Sequence, residues 1–112
     1  MVQTLTMNNI RSVVAQSPLL VIKFWASWCG PCKIFAPVFE RVAASIPEVT
    51  FGQVNIDEER PMIQFLRSQG VSVGGVPTVV ILKNGAVVHH KAGVPAAQDL
   101  VALIRSFEGV NV

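Results

Sequence analysis

Charge is scarce in this chain, and so are the residues that most often mark a chemical site. Only 14% of its 112 residues are Asp, Glu, Lys or Arg, and it has two cysteines and two histidines. Nine basic residues against seven acidic ones leave a formal charge of +2, with no run of like charges. That distribution lacks the basic stripe of a nucleic-acid surface. Long apolar runs are missing too. Residues 19–22 and 76–82 are the clearest, and both are too short to span a bilayer. The opening stretch, MVQTLTMNNIRSVV, has neither the basic start nor the extended apolar segment of a secretory signal. Internal repeats, low-complexity tracts and Gly/Ser linkers are lacking as well. The expectation is a reducing, intracellular setting, cytoplasmic or equivalent, with neither nucleic acid nor membrane as partner. In that setting a lone pair of cysteines is more often catalytic or metal-binding than a structural staple.

What the chain does have is apolar content. At 51% hydrophobic it suits one globular domain over residues 1–112 with a sizeable core. The punctuation predicts nine elements. Residues 2–5 read as a short strand, and 8–16 as a small amphipathic helix ended by Ser17-Pro18. Residues 19–25 are apolar on both faces apart from Lys23, which predicts a central strand covered on each side. Pro31 suits the first turn of a helix running to about residue 45, and Pro37 lies inside it. A strand over 49–56, a helix over 58–69 ended by Gly70, and a strand over 77–82 follow. Asn84-Gly85 is a hairpin turn signal leading to an antiparallel strand over 86–91. A helix over 96–107 closes the chain. Alternation followed by a hairpin predicts an α/β fold with a central mixed sheet flanked by helices on both faces.

Cys29 and Cys32 fall where the central strand gives way to a helix. The first N–H groups of a helix lack partners, and the dipole places partial positive charge there, so a thiolate is stabilised. Cys32 lies one turn on, beside Cys29, and is expected to be the more buried of the two. This predicts a disulfide-exchange pair: Cys29 attacks a disulfide, then Cys32 attacks the mixed disulfide. A chance pair of core cysteines and a zinc site are the competing readings. Zinc needs more ligands, and His89 and His90, as strand neighbours, point to opposite faces. No metal is expected.

The stretch WASWCGPCK, residues 25–33, resembles the active-site signature of the thioredoxin family. Pro37 falls at the family's helix kink, and VNID (54–57) resembles the end of its third strand. Val76-Pro77-Thr78 is similar to its cis-proline segment, KNG (83–85) to its hairpin and Lys91-Ala92-Gly93 to its glycine-bearing strand end. The resemblance runs through the whole chain in order. It implies a thioredoxin fold and thiol–disulfide exchange that reduces protein disulfides. Cys29 would be the nucleophile and Cys32 the resolving thiol. Trp28, Gly30, Pro31, Val76, Pro77 and Gly93 would form the substrate-binding surface. The implied partners are disulfide-containing proteins and a thioredoxin reductase or comparable donor, a flavoprotein drawing on NADPH. No bound cofactor is implied, and a monomer is expected. Pro77 also reads as an ordinary strand-start proline. The resemblance favours the cis reading, which would leave the Val76 backbone free to pair with an extended substrate.

Three positions depart from the family pattern. Most members have an aspartate where Lys23 stands, beneath the resolving cysteine. Gln53 replaces a lysine common near the same spot. Residues 57–77 are a few residues longer than usual, and Gly74-Gly75 predicts a mobile loop bordering the substrate surface. Lys23 is a candidate modulating residue with three readings: a charge favouring the Cys32 thiolate, a neutral amine accepting its proton, or a packed stem whose charge reaches water. The function competing with the reductase is a docking or assembly module of the same fold with little redox activity. An oxidase or isomerase is a third reading. The Gly30-Pro31 pair argues against it, since such enzymes tend to carry a histidine before the second cysteine.

Overall fold

In the computed structural model, which describes residues 1–109, one five-stranded sheet carries four helices. The domain expected over 1–112 ends in residues 110–112, which lie outside the described residues. In chain order the strands are β1 (Val2–Thr4), β2 (Leu19–Trp25), β3 (Thr50–Asn55), β4 (Thr78–Lys83) and β5 (Ala86–Ala92). The helices are α1 (Ile10–Gln16), α2 (Gly30–Ser45), α3 (Arg60–Ser68) and α4 (Ala97–Glu108). The spatial strand order is β1-β3-β2-β4-β5. β3 runs parallel to β1 and β2, β4 antiparallel to β2 and β5.

β2 is central because both of its faces are apolar. Leu19 and Val21 point to a core built with Phe35, Phe39 and Val42 of α2 and Leu100 and Ile104 of α4. Leu20, Ile22 and Phe24 point to the opposite core, with Val54, Val80 and Met62. Phe35, Phe39 and Phe51 pack ring to ring, with centroids 5.4 and 5.5 Å apart. Each such ring removed from water contributes about 1.5–3 kcal/mol. The hairpin forms as its Asn-Gly signal predicts, with φ of 51° at Asn84 and 83° at Gly85.

Several boundaries shift from the sequence expectation for local reasons. Asn9 Oδ1 accepts the Thr6 N–H and Asn9 Nδ2 donates to the Thr4 carbonyl, so this side chain holds the preceding turn and α1 starts at Ile10. Asn55 Oδ1 accepts the N–H groups of Asp57 and Glu58, which keeps both outside α3. Pro77 precedes β4 rather than opening it. The long segment before Pro77 is anchored by Val71 and Val73, both buried in the α1/α3 core, while Ser72, Gly74 and Gly75 are exposed.

Candidate active site

The site is built at the C-terminal end of β2. The chain leaves the sheet at Trp25, turns so that the Cys29 N–H donates to the Ala26 carbonyl at 3.2 Å, and enters α2 with Pro31 in the first turn. Cys29 is the residue capping α2. It keeps an extended backbone (φ −91°, ψ 110°), and its Sγ accepts the Cys32 N–H at 3.1 Å. The sulfur therefore occupies the place usually taken by a capping oxygen, where negative charge is favoured. Cys29 and Cys32 are joined in a disulfide, with Cα atoms 5.3 Å apart.

A second segment meets this turn. The Val76–Pro77 peptide is cis, and the Val76 carbonyl oxygen lies 3.4 Å from Cys29 Sγ. Sulfur has no proton to donate in the disulfide, so this is a contact and not a hydrogen bond. The Gly93 N–H donates to the Pro77 carbonyl at 2.9 Å, and Gly93 has φ of 112°, a conformation that favours glycine. Cys29, Cys32, Val76, Pro77 and Gly93 are thus brought together from three separate stretches. Gly30 and Pro31 are exposed on the first turn of α2.

Trp28 is 67% exposed, although it is large and apolar. Its Nε1 donates to Asp57 Oδ2 at 2.9 Å, which fixes the indole against the end of β3. Sequence reasoning did not single out Asp57 as a partner for Trp28, nor the exposed Ile34 on α2. The available signal for Asp57 was its position just past a strand ending at the same sheet edge as β2. Thr78 was missed as well. It is buried, and its hydroxyl donates to the Gly75 carbonyl, tying down the turn before β4.

The two cysteines are equally covered, at 4% exposure each, which corrects the expectation that Cys32 is the more buried. Val76, Trp25 and Ile56 pack against the pair, so the wall that faces Cys29 comes from a segment distant in sequence. Lys23 is 4% exposed and stands in register with Gln53 of β3 and Val79 of β4. Its Nζ lies 5.4 Å from the Phe39 ring centroid. Burial lowers its pKa from the usual lysine value, and the Glu40 carboxylate partly offsets this. No buried side-chain N or O among the described residues lacks a partner. Lys33 is exposed and Trp25 half-buried. His89 and His90 occupy successive positions on β5, opposite Ile81 and Val80. Among the described residues no three His, Cys, Asp or Glu side chains cluster.

The thioredoxin family model matches residues 1–106. The chain belongs to the thioredoxin family. A thioredoxin of Chlamydia trachomatis serovar D is 39% identical over 105 residues, which cover 93% of this chain and 96% of that protein. Thioredoxin-1 of Saccharomyces cerevisiae is 36% identical over 93 residues, covering 82% of this chain and 85% of the relative. Among solved structures, a mutant thioredoxin from Halobacterium salinarum superposes with a TM-score of 0.84 at 25% identity, over 98% of this chain and 93% of its own. The fold is the thioredoxin fold, and the chain is a thiol–disulfide oxidoreductase that reduces protein disulfides. Among the described residues no helix is long and apolar enough to cross a membrane.

Proposed function

We propose that Cys29 is the nucleophile and Cys32 the resolving thiol of this reductase. The observation that carries the assignment is the capping position of Cys29, whose sulfur accepts the Cys32 N–H at the head of α2. The Cys29 thiolate attacks a substrate disulfide, forms a mixed disulfide and expels one substrate thiolate. The Cys32 thiolate then attacks Cys29 Sγ and expels the second. Two electrons pass to the substrate, and the Cys29–Cys32 disulfide remains. A flavoprotein reductase drawing on NADPH, a thioredoxin reductase or comparable donor, returns two electrons. No cofactor is bound by the chain itself.

Trp28, Gly30, Pro31, Val76, Pro77 and Gly93 form the surface that receives the substrate backbone. Support comes from the exposure of Trp28 and from the closeness of the Val76 carbonyl to Cys29. The working setting is a single-domain monomer in a reducing compartment such as the cytoplasm, where the dithiol form persists. Lys23 modulates through its charge and not by contact. Its neighbours are Phe39 and Glu40, two turns past Cys32 on α2.

Trapping tests the roles. Cys32→Ser is expected to accumulate mixed disulfides on Cys29 in lysate and with insulin, while Cys29→Ser accumulates none. The reverse pattern would exchange the two assignments. Stopped-flow measurement of Lys23→Met is expected to slow resolution of the mixed disulfide a few-fold near neutral pH and to leave the first attack unchanged. Unaltered resolution across pH would mean that Lys23 only packs.

A further inference from the structure

The two faces of the sheet are filled unequally. On one, α2 buries four side chains, Phe35, Phe39, Val42 and Ala43. On the other, α1 buries none and α3 only Met62. Between α1 and α3 lies a groove of about 420 Å³, open to solvent, whose floor touches Ile22, Phe24 and Val80 of the sheet. The volume lies within the roughly 300–1,000 Å³ of small-molecule sites.

The walls define what fits. Val14, Met62 and Leu66 line the groove from the helices, so a ligand there would displace water from apolar surface. Methionine adapts to ligands of varied shape. At the rim Met7 and Phe65 stay 50% and 62% exposed, although both are apolar. Arg11 is the one charged side chain lining the groove. Among the described residues it has no carboxylate partner. The nearby Glu59 carboxylate is held by the Met7 N–H at 3.0 Å and is not part of the wall.

We propose that this groove binds a free single-chain carboxylic acid of medium length, with its apolar tail between α1 and α3 and its carboxylate on Arg11. A guanidinium presents two parallel N–H donors to a carboxylate, which fixes the orientation of an otherwise featureless tail. The seven residues of α1 extend about 10 Å, which favours a medium chain over a long one.

The probe is sub-micellar decanoate, titrated into the full chain with ¹³C-methyl methionine labelling. Saturable one-to-one shifts of the Met7 and Met62 methyls are expected, and hexanoate and decanol should each bind at least tenfold more weakly. Arg11→Gln should lose about tenfold in decanoate affinity. Ala15→Trp, which blocks the mouth, should abolish binding. Both variants should reduce insulin at the wild-type rate. The proposal is overturned by absence of saturation, by equal affinity in Arg11→Gln, or by decanol binding as well as decanoate. It is overturned equally by co-sedimentation with phosphatidylglycerol vesicles without decanoate binding, or by self-association that shifts the same methyls.

Discussion

Cys29 and Cys32 share the same burial but not the same electrostatics. Only Cys29 sits at the cap of α2 with its sulfur accepting a backbone N–H. Under the proposed roles, reactivity differs through thiolate stabilisation and not through exposure. Brief iodoacetamide treatment of the reduced protein is expected to modify Cys29 several-fold faster than Cys32, read by peptide mass spectrometry. Equal labelling would place the difference elsewhere. Lys23 yields a second prediction. Its folded pKa is lowered from 10.5, chiefly by burial, so the charged form is less welcome in the folded chain than in the unfolded one. Below the folded pKa both states are protonated and the full cost is present. As pH rises toward 10.5 the folded state sheds its proton first, and the cost fades. Lys23→Met removes that cost but also the contact with Phe39. A net gain of about 1 kcal/mol is expected near pH 7. The gain should shrink toward pH 10, followed by urea unfolding at several pH values. A variant less stable than wild type at pH 7 would show that the ammonium contributes more than its burial costs.

The approach of β1 to β3 depends on a missing side chain. A Cβ on Gly52 of β3 would lie 2.5 Å from Leu5 Cδ1 and 2.7 Å from Leu5 Cγ, and Leu5 is 1% exposed. Gly52→Ala is therefore expected to cost about 1–3 kcal/mol through overpacking. Leu5→Ala alone should cost about 2–4 kcal/mol through the cavity it leaves. The double variant should lose clearly less than the sum, measured as a double-mutant cycle. Strict additivity would mean that the strands separate instead of clashing. Gly52 shows where sequence reading stops. Patterns carried by neighbours in the chain were legible: the apolar run of β2, the Asn84-Gly85 turn, and the cysteine pair at a strand-to-helix junction. Features set by side chains meeting across the fold were not. Asn9 and Asn55 spend their amides on turns, which shortens α1 and α3. Asp57 reaches Trp28 from the turn after β3. The cover over the cysteines includes Ile56 and Val76, residues distant in sequence that the fold brings to the pair.

At the scale of the molecule, the two large cores on either face of the sheet contain neither cysteine. The cysteines form a small separate cluster with Ala26 at the sheet's end. The Cα radius of gyration is 12.9 Å, against about 13 Å for a compact chain of this length. The apolar layers that make the chain compact are built without the cysteines. The bond closes only a short loop, because the cysteines are three positions apart. On loop-closure grounds it removes little entropy from the unfolded chain, worth about 2 kcal/mol. That suits a bond that must open and close in every turnover without disturbing the fold. Reduction is expected to leave the circular dichroism spectrum unchanged and to lower unfolding free energy by about 2 kcal/mol or less. The Cys29→Ser, Cys32→Ser double variant should behave as the reduced protein does. A loss of more than about 4 kcal/mol on reduction would mean that the bond staples the structure. The dithiol would then be a partly unfolded species, and a cycle built on a preformed substrate surface would have to be abandoned.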